Sequence, residues 1–203
     1  MRKKLVSLLL FSLSLVPVKA QDYPASLERM SVYSWAEKNG LDSKNINSIT
    51  QSSDGYLWLT SYSGIIKFDG HQAQYFNGKN LPFLKIDGFR KGFEAPDEQT
   101  LYFASQGSGI LVYNDNQFNP LGAENGSIPK SVNHLLIEEN KQLYIGSNNG
   151  LYYYKNKEIS SIKPSIFQSM NIVDFKKDKA GNLWIATQGN GIFSLDRDGN
   201  TRR

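Results

Sequence analysis

The chain contains two histidines, His71 and His134, and no cysteine, which excludes thiolate chemistry, disulfides and His-rich metal centres. Four stretches repeat one pattern, and in their register Ser48, Gly88, His134 and Asp174 share a place on an innermost strand. Strand alternation would turn these side chains toward a central channel. His134 and Asp174 would then stand on neighbouring repeats as an acid–base pair or a pH-sensitive contact. A hydrogen-bonded histidine beside an unrelated solvated carboxylate explains the same residues. A second constellation is the turn position shared by Tyr62, Gln106, Asn148 and Gln188. Three amides and a phenol around a channel mouth suit a neutral, hydroxyl-rich small ligand such as a glycan fragment, although turn amides more commonly satisfy backbone groups. Asp196-Arg197-Asp198-Gly199-Asn200 opens like a calcium loop, but Thr201 stands where the bend glycine belongs. No metal and no cofactor is expected.

The elements that must position these residues follow from the repeat itself. An aromatic after Leu falls at Trp58, Tyr102, Tyr144 and Trp184, spaced by 44, 42 and 40 residues. A hydroxyl follows at Ser61, Ser105, Ser147 and Thr187, then a glycine at Gly64, Gly109, Gly150 and Gly191. Each copy reads as an apolar strand, a turn such as Ser53-Asp54-Gly55, a strand carrying the aromatic, a glycine turn and two further strands. Four short strands in 40 to 45 residues is the period of a propeller blade. The fold class expected is an all-β β-propeller with four four-stranded blades, as part of a larger propeller. The blades are placed at 46–80, 86–120, 132–163 and 172–203. The aromatic column should be buried between blades, and the hydroxyl column should serve the turns. The last copy reads as incomplete, because only the polar residues 196–203 follow its third strand. An N-terminal segment, residues 21–45, carries an unmatched strand over Arg29–Trp35. Pairing of that strand with 192–196 would close a four-bladed ring; without it the chain reads as the first piece of a longer propeller.

No Trp-Asp or Gly-Gly signature is present. The run Ile46-Asn47-Ser48-Ile49, Asp54-Gly55-Tyr56-Leu57-Trp58-Leu59-Thr60 and Gly64 to Phe68-Asp69-Gly70 resembles the two-component regulator propeller repeat, and residues 178–195 resemble it again. The middle copies depart from it, with Tyr for Trp and Pro96-Asp97-Glu98 in place of an Asp-Gly turn. The resemblance implies a periplasmic sensor that binds a ligand and has no chemistry of its own. It also implies a membrane-bound histidine kinase or diguanylate cyclase as the output, outside this chain. The competing readings are an exported propeller enzyme such as a lyase, with His134 and Asp174 as its acid and base, and a protein-interaction scaffold.

The formal charge of +4 resides in the first twenty residues, where Arg2, Lys3, Lys4 and Lys19 face no acid. Beyond them 19 basic residues balance 19 acidic ones, so no electrostatic case for nucleic acid exists. Arg2-Lys3-Lys4, the apolar and serine run Leu5–Val16, and Val18-Lys19-Ala20 have the form of a signal peptide cleaved after Ala20. The expected location is the periplasm.

Overall fold

A computed structural model describes residues 31–35, 40–41 and 45–203, apart from 97–98, 123, 139–141 and 164. The signal-peptide expectation for residues 1–20 lies outside them. The chain divides into two units, Met1–Ser34 and Trp35–Arg203. In the first, residues 31–34 are exposed and carry neither strand nor helix.

The described residues of the second unit form sixteen strands in four antiparallel sheets, each ordered from inner to outer strand as the chain runs. Blade 1 is β1 (Ile46–Gln51), β2 (Leu57–Ser61), β3 (Gly64–Phe68) and β4 (Ala73–Phe76). Blade 2 is β5 (Phe89–Glu94), β6 (Leu101–Ser105), β7 (Ile110–Asn114) and β8 (Gln117–Pro120). Blade 3 is β9 (Val132–Ile137), β10 (Leu143–Ser147), β11 (Gly150–Lys155) and β12 (Glu158–Ser161). Blade 4 is β13 (Ile172–Lys177), β14 (Leu183–Thr187), β15 (Gly191–Leu195) and β16 (Thr201–Arg202). The blade fold expected from the repeat is therefore present.

Blades pack in chain order, and both faces of a covered sheet are apolar. Trp58 and Ile65 on one face of blade 1 meet Leu101, Phe103, Leu111 and Phe118 of blade 2. Tyr102, Ala104 and Ile110 on the far face of blade 2 meet Leu135, Leu143 and Ile145 of blade 3. Leu151 of blade 3 in turn meets Phe175, Leu183, Ile185 and Phe193 of blade 4. This explains why β6 is buried at all five positions: a central strand between two blades has no solvent face.

The glycine turns work as the residue types require. The hydroxyl column donates across each turn to the glycine carbonyl: Ser61 to Gly64 at 3.1 Å, Ser105 to Gly109 at 2.9 Å, Ser147 to Gly150 at 2.9 Å and Thr187 to Gly191 at 2.7 Å. Ser105 Oγ also accepts from the Ser108 amide at 2.7 Å. Ser105→Ala should cost about 1 kcal/mol in urea unfolding, the worth of the hydroxyl's hydrogen bond. The half-buried Ser108 amide loses its acceptor, while Gly109 O keeps the Ser105 backbone amide at 3.0 Å. A loss within error would show that the turn holds itself.

Three expectations are corrected. Blade 4 is not missing its outer strand: Thr201–Arg202 pairs with Ser194 and Leu195, since ladder bonds need backbone, not apolar side chains. The strand expected over Arg29–Trp35 is not formed across its described residues 31–35, and Val32 is 95% exposed. β15 is already bonded on both sides, by β14 and β16, so it offers no edge for closure. Finally, the aromatic column occupies one place on β2, β6, β10 and β14 but is not uniformly buried. Trp58 is 1% exposed and Trp184 50%, because blade 2 covers the first and no described residue seals the second.

Candidate functional site

Each inner strand begins with an apolar anchor paired to the hydroxyl column: Ile46, Phe89, Val132 and Ile172. A bulge follows in all four, at Asn47, Arg90, Asn133 and Val173. A bulge re-aims the residue after it. Two bulge asparagines staple neighbouring blades through the next anchor's carbonyl: Asn47 donates to Phe89 O and Asn133 to Ile172 O, both at 2.7 Å.

The residues after the bulges are Ser48, Lys91, His134 and Asp174, paired with Thr60, Ala104, Gly146 and Ala186 respectively. Lys91, not Gly88, is the blade 2 member; Gly88 precedes β5 and its carbonyl accepts from the Gln106 amide at 2.8 Å. Lys91 is the functional candidate that sequence reasoning missed, and the Phe-Arg-Lys run matching Ile-Asn-Ser was the available signal.

Three of these residues meet. His134 Nδ1 lies 3.0 Å from Asp174 Oδ1 and 3.3 Å from Lys91 Nζ. A neutral imidazole can use that nitrogen to donate to the carboxylate or to accept from the ammonium, not both. The imidazole does not stand free in a channel as expected. It is buried, edge-on between the Phe93 and Phe175 rings at 5.1 and 4.9 Å, because its strand faces the neighbouring blade. Asp174 stays largely exposed, its side chain 57% accessible. The cluster opens into a groove of about 740 Å³ whose other walls include Phe175, Trp184 and Ile192.

Burial, and then the Lys91 ammonium, push the His134 imidazole down to about 4, against the opposing pull of Asp174. The unfolded chain, with a histidine near 6.5, therefore binds more protons between pH 6.5 and 4. This contribution to stability is present above pH 6.5 and is lost as pH falls through that window. His134→Phe should flatten the slope there in unfolding titrations. An unchanged slope would assign it to other groups.

The rim position is less concentrated. Tyr62, Asn148 and Gln188 are exposed and Gln106 is partly covered. Gln188 accepts from the Asn171 side chain, whose oxygen in turn accepts from Asn133 at 2.8 Å. Gln106, Asn148 and Gln188 also donate their backbone amides to Gly88, Ser131 and Asn171. The described residues contain no cluster of potential metal ligands. No helix among them is long and apolar enough to cross a membrane.

Fold and repeat together define a β-propeller. More particularly, the two component regulator propeller family model matches residues 40–63 and 166–189, which include the first two strands of blades 1 and 4. No curated protein sequence matches the chain. Among solved structures, it is similar to the extracellular domain of a hybrid two component system from B. thetaiotaomicron, at 24% identity and a TM-score of 0.63, over 80% of this chain and 22% of that one. A second such extracellular domain from B. thetaiotaomicron gives 22% identity and a TM-score of 0.64, over 84% and 22%. Virginiamycin B lyase from Staphylococcus aureus gives 17% and 0.59, over 77% and 54%. The chain spans about a fifth of the length of the two extracellular domains, and these identities establish the fold.

Proposed function

We propose that this chain is a ligand-sensing propeller segment of an exported signal-transduction receptor of two-component type, without chemistry of its own. The match of the two component regulator propeller repeat to blades 1 and 4 carries this reading. Kinase or cyclase output belongs to other sequence or to a membrane-bound partner. The ligand is a small glycan fragment, met by the Lys91–His134–Asp174 cluster and the rim amides. The open face of blade 4, with Trp184 and Ile192, accepts a further blade of the same kind. Blade 2 seals Trp58 in the equivalent place, which supports that assignment.

Expressed with its own leader, the protein should be recovered from the periplasm with a mass beginning at Gln21. A mass retaining residues 1–20 would refute cleavage. Calorimetric titration of that protein with a panel of soluble oligosaccharides should then find one that binds and is recovered unchanged. Conversion of the ligand would favour the lyase reading instead, which the His134–Asp174 contact and the likeness to virginiamycin B lyase support. Absence of any binding would overturn the sensor.

A further inference from the structure

The seam between blades 3 and 4 is built differently from the other two. In blades 2 and 3 the third strand sends a tyrosine toward the preceding blade, Tyr113 and Tyr154, backed on the fourth strand by Phe118 and Ile159. Tyr113 packs 4.6 Å from Trp58, and Phe118 lies 4.8 Å from Tyr113, filling the first seam. At the same places blade 4 has Leu195 and Thr201. One ring and one large apolar side chain are missing, and a cleft of about 580 Å³ opens there, within the range of small-ligand sites.

The walls of the cleft combine apolar and aromatic side chains with hydrogen-bonded polar groups. Tyr144 and Tyr153 lie 5.2 Å apart with rings at 60°, and the Tyr153 hydroxyl donates to Gln142 Oε1. Both lining acids are engaged. Glu138 pairs with Lys177, and Asp196 accepts from the Asp198 and Asn200 amides and the Asn200 side chain. The cations at the lips are Lys163 and Arg197. Arg197 is laid across Gly181, where a Cβ would stand 2.5 Å from its guanidinium. Aromatic faces beside amide and hydroxyl groups suit the C–H face and hydroxyls of a sugar ring. Three lining cations, Lys163, Lys177 and Arg197, against the two carboxylates of Glu138 and Asp196 leave the cleft positive, which favours a carboxylate on the sugar.

We propose that this cleft binds an acidic disaccharide, a uronic acid dimer, with one ring against the tyrosines and a carboxylate at Arg197. The site is separate from the Lys91–His134–Asp174 cluster; it rests on the sensor reading and adds to it a second site for a ligand of a different class. Titration of the full chain with digalacturonate, and with cellobiose as the uncharged control, tests it.

Digalacturonate should bind in preference to cellobiose, and Arg197→Gln should weaken it about tenfold, the worth of one charge-assisted hydrogen bond. Leu195→Tyr, which restores the residue that blades 2 and 3 carry, should abolish binding while leaving the thermal midpoint unchanged. Should that variant fail to fold, the exposed Arg197→Gln decides alone. Lys155→Ala, at an exposed lysine of blade 3 outside the cleft, should leave digalacturonate affinity as it was. No binding of digalacturonate, equal binding of both sugars, or binding indifferent to Arg197→Gln and Leu195→Tyr would overturn the cleft proposal. None of these outcomes touches the sensor reading if another oligosaccharide binds.

Discussion

Trp58→Ala will destabilise the protein by about 3–5 kcal/mol, the range for emptying a buried aromatic site, whereas Trp184→Ala will cost under about 1 kcal/mol. The two tryptophans hold the same place in the repeat, so chemistry and local backbone are matched and surroundings differ. Trp58 is 1% exposed and touches the rings of Phe76, Phe103, Tyr113 and Phe118, with centroids 4.6 to 6.2 Å away. Its indole N–H donates to Ser52 Oγ at 3.1 Å. Removing the ring leaves a cavity that four aromatics on two blades cannot collapse into without losing one another. Trp184 makes the matching bond, to Asp178 Oδ2 at 3.0 Å, but half its surface already faces water. Chemical unfolding of both variants checks this, and equal losses would show that blade 4 is sealed in solution by something the described residues lack. In a protein where a further blade covers that face, the Trp184 loss should rise toward the Trp58 value.

Gly64→Ala will cost more than about 3 kcal/mol, whereas Gly55→Ala will cost about 1–2 kcal/mol. Both glycines have positive φ, +133° and +90°, so both substitutions are strained in the backbone. Only Gly64 adds a collision: a Cβ there would stand 2.3 Å from the Phe76 carbonyl oxygen, and backbone of the β3–β4 ladder cannot rotate away as a side chain can. Gly55 has nothing within 4 Å. Comparison of the two midpoints in urea isolates the steric part, and similar losses would mean that the end of β4 yields freely. Because Phe76 also packs on Trp58, 6.2 Å between centroids, movement of β4 would loosen the first seam as well.

Much of this architecture was legible in the chain alone. The period, the four-strand grammar, the glycine at each reversal and the hydroxyl that donates across it all depend on local chemistry, which residue types report directly. The place of Trp58, Tyr102, Tyr144 and Trp184 on the second strand of each blade was legible for the same reason. The contact of His134 with Asp174 was also within reach, since their copies are nearly equal in length.

Lys91 was not, because the first turn of blade 2 is one residue longer, so counting back from Tyr102 by the interval that finds His134 and Asp174 misses it. The bulge that all four inner strands share hides, in every blade, which way the residue after it faces. Once a strand bulges, the pattern on one side of the bulge no longer reports which way the other side faces. The two-residue β16 escaped notice because ladder bonds between Leu195 and Thr201 leave no mark on hydropathy. Burial depended on neighbours far away in the chain. The same aromatic is core at Trp58 and surface at Trp184, and the same seam is full at Tyr113 and open at Leu195. Whether a sheet face is covered is a property of the blade beside it, and only the tertiary structure supplies that blade.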